Sequence, residues 1–396
     1  MKLPKDTAAV ESARARAVSA LAQVVAATHR SGLKFAGILE RCASARTFVF
    51  TVWCAFAAAG LSPSDSAQIS SAAPPASPIT SLTGIADVLR PHTDQASIGL
   101  PLDSPLPILA PSRQAYEVVS GCWGGAQMHV EQAWRLAGTP RATLVAVLDT
   151  GIDVGNAGLT GRVAESLTLL KGTESSDSYG HGTHVAATIA AIAPNCTILS
   201  LKVADDRGFC TPQRVAEGIR LATMWGADVI NLSLQVEPCP DLASALEDAW
   251  KAGAVLVAAA GTPEAAGLEC YTAEEMPPTY PACYPCVIAV AGIGEDGEVA
   301  PLSNRASWID VAAPGRHTLS YVPGSELGYL TGTSTAAAHV SGLAALLCGI
   351  AVDGNNNGRL NDEVRRAIES TAVPTDIEGI GRGTVDAAAA VQSLLA

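Results

Sequence analysis

Short, mainly apolar runs without period-two alternation constrain this chain more than any other feature. Thr143–Leu148 reads TLVAVL, Thr197–Val203 reads TILSLKV, Asp228–Leu234 reads DVINLSL, and Ala254–Ala260 reads AVLVAAA. Val287–Val290 adds VIAV. A strand with one wet face alternates apolar and polar residues, whereas a strand apolar throughout is covered on both faces. The segments between these runs have helical character. His181–Ala193 is Ala-rich, and Pro212–Trp225 places Val215, Ile219, Ala222 and Trp225 at helical spacing. Pro240–Ala252, Thr335–Ile350 and Glu363–Thr371 are also read as helices. The expectation is an α/β fold with a doubly wound, mostly parallel sheet and helices on both faces. Sites in such sheets form at the carboxyl ends of the strands.

With 48% apolar and only 16% charged residues, the chain can bury a sizeable core. Its net charge of −13 is unevenly placed. Residues 1–67 carry eight Lys/Arg against four Asp/Glu, and residues 68–396 carry 17 against 34. An acidic body lacks the clustered cations that phosphate binding requires, so nucleic acid is excluded as a partner. Residues 47–61 (TFVFTVWCAFAAAGL) are uncharged and follow Arg41 and Arg46, the pattern of a signal-peptide apolar core. Fifteen residues are short for a membrane span, which takes about 20. The expected organisation is a targeting region over 1–67, a Pro/Ser-rich linker or short pro-segment over 68–121, and a catalytic domain over 122–396. Export to the extracellular space or a periplasm is the expectation. The alternative is an anchored protein, touching a membrane only if 47–61 is retained.

Three motifs fall at element boundaries: Asp149-Thr150-Gly151 ends a strand, His181-Gly182-Thr183-His184 opens a helix, and Gly332-Thr333-Ser334 opens another. Amide hydrolysis needs a nucleophile, a base to take its proton and a group to orient the base. Ser334 has the nucleophile's hydroxyl, His181 titrates near neutrality, and Asp149 can fix the tautomer of His181 and stabilise its imidazolium. A helix N-terminus behind Ser334 offers backbone N–H groups to an oxyanion. His184 and His339 lie one turn further into their helices and are read as structural.

In the order Asp, His, Ser, the segments VAVLDTGID, HGTHVAATIAA and GTSTAAAHVSGLAALL resemble the subtilisin-like serine proteases. VINLSL, VLVAAAG, YPACYPCVIAVAG and IDVAAPG extend the likeness over roughly 122–396. The resemblance implies a serine endopeptidase acting on protein or peptide substrates, as a monomer, with no cofactor required. It implies that Ser233, Leu234 and Gln235, with Ala259, Ala260 and Gly261, line the cleft and pair with substrate backbone. The oxyanion hole would take the Ser334 backbone N–H and a side chain after the AAAG strand. The family usually has Asn there and this chain has Thr262. If Thr262 does not complete the hole, the alternative is a catalytically weak binding or scaffold protein on the same fold. Gln235 stands where the family usually has Gly, which narrows a subsite.

The short AIAPNC connection after the His181 helix implies that the calcium-loop insertion of some family members is absent. Asp353, Asn355, Asn357 and Asp362 offer oxygens at positions 1, 3, 5 and 10 of a partly EF-hand-like loop, with Gly358 at position 6. Position 12 is Val364 rather than Glu, so this is a weak calcium candidate and the only metal site read from the sequence. Cys42 and Cys54 lie in the targeting region. The other eight cysteines allow up to four disulfides in an exported chain. Cys283-x-x-Cys286 has no second pair for zinc and opens no helix for thiol exchange.

Overall fold

The computed structural model describes residues 122–262 and 276–396. The targeting region, the linker, Cys270 and most of the 262–279 loop therefore lie outside the described residues.

Seven strands form one parallel sheet: β1 (Thr143–Asp149), β2 (Val163–Thr168), β3 (Cys196–Lys202), β4 (Val229–Leu232), β5 (Val255–Ala259), β6 (Val287–Ile293) and β7 (Val311–Pro314). Their order is β2-β3-β1-β4-β5-β6-β7. The chain first builds on one side of β1 and then crosses to the other, so the order reverses beside β1. A short antiparallel hairpin, β8 (Thr318–Val322) with β9 (Glu326–Leu330), stands apart from this sheet.

The sheet is buried on both faces, as its all-apolar strands require. Along β1, Val145 and Val147 enter one core while Leu144, Ala146 and Leu148 enter another. β5 divides in the same way, with Val255, Val257 and Ala259 on the first face and Leu256 and Ala258 on the second. α3 (His181–Ile192) and α6 (Thr333–Cys348) fill the first face. α4 (Pro212–Met224) and α5 (Pro240–Lys251) fill the second. Both of these open with Pro after an N-cap side chain that accepts a backbone N–H, Thr211 for α4 and Cys239 for α5. α1 (Trp123–Gln127), α2 (Val130–Ala137), α7 (Asn361–Ser370) and α8 (Ala387–Leu395) complete the described helices.

Each strand and helix read from the sequence is present, with boundaries shifted by a few residues. β2, β7, the hairpin, α1, α2 and α8 were not anticipated. β2 is a half-exposed edge strand (VAESLT) without the all-apolar signature. Among the described residues no disulfide is formed: the seven described cysteines carry free thiols. Cys196 and Cys348 sit wholly inside the core, where burial pushes the Cys196 thiol up to about 11 and that of Cys348 higher still. There they pack as small apolar residues.

Candidate active site

Two helices on one face of the sheet each bring a single residue out of the core. All twelve residues of α3 are buried except His181, and all sixteen of α6 are buried except Ser334. Both exceptions lie in the first turn. An Ala-rich helix can sink fully into an apolar core, and its first turn is where functional groups can emerge at the sheet edge.

Register places the partners at that same edge. Val147 pairs with Asn231 across β1 and β4, and Asn231 with Val257 across β4 and β5. Two residues further on, Asp149, Ser233 and Ala259 stand level at the carboxyl ends. The Ser233 hydroxyl donates to the Ser334 carbonyl at 2.8 Å, and the Gly261 N–H donates to Thr333 Oγ1 at 3.0 Å. The first turn of α6 is thereby stitched to the ends of β4 and β5. The first-turn N–H groups of α6, Ser334's among them, have no partner within the helix.

Asp149 is 3% exposed, and its Oδ1 stands 2.8 Å from His181 Nδ1. A carboxylate only accepts, so Nδ1 carries the proton and the Nε2 lone pair is left free. Oδ1 also accepts the Thr150 N–H at 2.7 Å, while the buried Oδ2 has no hydrogen-bond partner. Burial works against the imidazolium. The charge and hydrogen bond of Asp149, aided by Asp177, outweigh it and hold His181 above its usual pKa. No hydrogen bond joins His181 to Ser334. Such contacts are often long in unliganded enzymes and tighten around a reacting substrate.

Two glycines permit the close approaches. A Cβ at Gly182 would collide with the Gly151 carbonyl oxygen, so only Gly lets α3 start this close to the end of β1. A Cβ at Gly342 would stand 2.6 Å from Ile192 Cβ, which lets α6 lie tight against α3.

Three supporting residues were missed by sequence reasoning. Asp177 Oδ1 accepts the Thr150 hydroxyl at 2.8 Å, and its Oδ2 accepts the N–H and hydroxyl of Thr183 at 2.8 and 2.7 Å. Its place four residues before His181, ahead of a helix, was a capping signal that could have found it. Lys202, 1% exposed, pairs in register with Asp149 and donates to the Thr150 carbonyl and to Asp206. Asn304 donates through Nδ2 to the Ala260 carbonyl at 2.7 Å and through its N–H to the Gly261 carbonyl at 3.0 Å. Only tertiary contact reveals these last two roles.

Thr262 is half-buried just past β5, following the Gly261 that is tied to Thr333. Ser233 is buried and Leu234 half-buried. Gln235 is exposed, and its Oε1 lies over Gly261, 2.8 Å from where a Cβ would be. Ala259 and Ala260 are buried, so it is their backbone that can face the cleft. Burial pushes His184 and His339 down to about 4, and each hydrogen-bonds a backbone carbonyl, of Thr318 and Thr335 respectively. Both are neutral packing residues.

A parallel α/β sheet with an Asp–His pair and a helix-borne Ser at its carboxyl edge defines the class of serine hydrolases with a subtilisin-like fold. Residues 141–390 match the model of the subtilase family, peptidase S8, and the chain belongs to that family of serine-type endopeptidases. It is 36% identical over 262 residues to the thermophilic serine proteinase of Bacillus sp. (strain AK1), covering 63% of this chain and 61% of that protein. It is 35% identical over 286 residues to thermitase of Thermoactinomyces vulgaris, covering 68% and 95%. Subtilisin E of Bacillus subtilis (strain 168) is 34% identical over 259 residues, covering 63% and 65%. The chain thus spans about three-fifths of the first relative's length and nearly all of the second's. Subtilases need no organic cofactor. Among the described residues no helix is long and apolar enough to cross a membrane, and no group of three His, Cys, Asp or Glu side chains is set to hold a metal ion.

Proposed function

We propose that this chain is an endopeptidase that cleaves peptide bonds in proteins through Asp149, His181 and Ser334. The observation that carries the reading is the pair of buried helices, each surfacing one reactive side chain at the sheet edge where Asp149 holds His181. Ser334 Oγ attacks the scissile carbonyl carbon while His181 Nε2 takes the hydroxyl proton. Asp149 stabilises the imidazolium without itself becoming protonated. The oxyanion meets the Ser334 N–H and the Thr262 hydroxyl. Collapse of the tetrahedral species breaks the C–N bond, and His181 returns the proton to the departing amine. Water, activated by the same imidazole, then hydrolyses the acyl-enzyme and restores Ser334.

Substrate is read as an extended segment beside Ser233–Gln235 and Ala259–Gly261. The protein acts as an exported monomer on this reading, with the apolar run at 47–61 as its export signal.

A fluorophosphonate probe should label the wild type at Ser334. Ser334→Ala, with an unchanged circular dichroism spectrum, should lose both the label and all hydrolysis of a denatured protein. Hydrolysis surviving in Ser334→Ala refutes the assignment. An intact, labelled wild type that cleaves nothing favours a binding protein with an incomplete oxyanion hole at Thr262.

A further inference from the structure

The proposed hydrolysis gives no part to a lysine buried beside Asp149. Lys202 ends β3, pairs in register with Asp149 at the end of β1, and is 1% exposed. The rest of β3 reads CTILSL and carries no charge. An ammonium taken out of water is costly unless it is paired and hydrogen-bonded. Its Nζ donates to the Thr150 carbonyl and, at 2.8 Å, to Asp206 Oδ1. Asp206 stands exposed on the loop that follows β3.

Thr150 is the residue through which the amine reaches the site, and all of its polar groups are engaged. Its N–H donates to Asp149 Oδ1 at 2.7 Å, and its carbonyl takes Lys202. Its hydroxyl donates to Asp177 Oδ1 at 2.8 Å and accepts the Gly182 N–H at 3.0 Å. Asp149 Oδ1 accepts from Thr150 and His181, while Oδ2 has no partner. Apart from His181 itself, Thr150 is therefore what fixes the carboxylate.

Charge points the same way. Asp149 and Asp177 are buried, at 3% and 6% exposed, and both act on His181. Lys202 is the buried cation at this corner. Arg214 donates to the Val203 carbonyl, and Asp205 accepts the N–H groups of Arg207 and Phe209. Asp153 accepts those of Gly155 and Gly324, and Tyr179 lies over Gly208. Cys210 and His184 are neutral, since burial pushes the thiol up to about 11 and the imidazole down to about 4. Two buried carboxylates unopposed would hold an imidazolium too firmly for a base working near neutrality.

We propose that Lys202 is a positioning residue of the Asp149–His181 pair, an inference that rests on the hydrolytic reading. Its ammonium holds the Thr150 carbonyl so that the Thr150 N–H stays on Asp149 Oδ1. Its charge offsets part of the field that Asp149 and Asp177 exert at His181.

The test reads the pH at which His181 titrates, as the acidic limb of kcat/KM and, in the full chain carrying Ser334→Ala, as the NMR titration of the imidazole. Losing a positive charge favours the imidazolium, so Lys202→Met should raise the midpoint by about half a pH unit. Its kcat should fall severalfold as Asp149 loosens. Asp206→Asn, on the exposed loop, leaves the ammonium unopposed and should lower the midpoint. The double variant Lys202→Met/Asp206→Asn should titrate higher than Asp206→Asn alone. That comparison stands even where Lys202→Met does not fold by itself, because the double variant leaves neither charge unpaired. A lysine that only fills space would leave the midpoint in place, and a midpoint that does not rise on replacing Lys202 overturns the proposal. If the wild type takes no fluorophosphonate and cleaves no protein, the hydrolytic reading fails, and the NMR titration still decides what Lys202 does to His181.

Discussion

Burial penalises the charged form of His181, and the Asp149 carboxylate with its hydrogen bond more than offsets that penalty. The protonated form therefore contributes stability below the unfolded value near 6.5, and this contribution is lost as pH rises through the higher folded pKa. On the proposed mechanism catalysis runs the other way, because His181 must first lose its proton to act as a base. The acidic limb of kcat/KM should have its midpoint above 6.5, and Asp149→Asn should move it down while lowering kcat steeply. A wild-type midpoint at or below 6.5 would contradict the electrostatics drawn here. The residues proposed as the triad stand out in the sequence because each lies in a short motif at an element boundary. Asp177 was only partly legible. Lys202 and Asn304 were not, because a buried polar side chain announces itself only through the partner that the fold brings to it.

Gly342 governs how α6 meets α3, since any side chain there meets Ile192 and the Ile189 carbonyl. Gly342→Ala improves helix propensity by about 1 kcal/mol, yet overpacking costs about 1–3 kcal/mol, so the close contact should win. The expected outcome is a lower denaturation midpoint in urea with an unchanged m-value, together with reduced kcat, because His181 and Ser334 ride on the two helices pushed apart. A midpoint at or above that of wild type would mean that the helices have slack. α3, α6 and the inner strands were readable because burial on every side leaves an apolar signature, and α4 because its apolar residues recur at helical spacing. The β8–β9 hairpin and edge strand β2 were not, because half-exposed strands mix residue types and their pairing is decided by distant chain. The cysteines misled for a related reason: an even count suits disulfides, but a buried thiol also serves as core filling.

At the scale of the molecule, the sheet divides two apolar cores, and the reactive edge is built on the one shared by α3 and α6. The charge surplus is acidic and lies outside residues 1–67, so nothing in the body favours polyanions. Many enzymes hang their working groups on loops that loosen well before the rest of the molecule melts. Here His181 and Ser334 sprout from two helices that are otherwise buried, so neither rides on a part that shakes free first. Warming should therefore show no interval in which the molecule stays folded yet idle: residual hydrolysis and ellipticity should fade along one curve, the machinery failing only when the whole framework does.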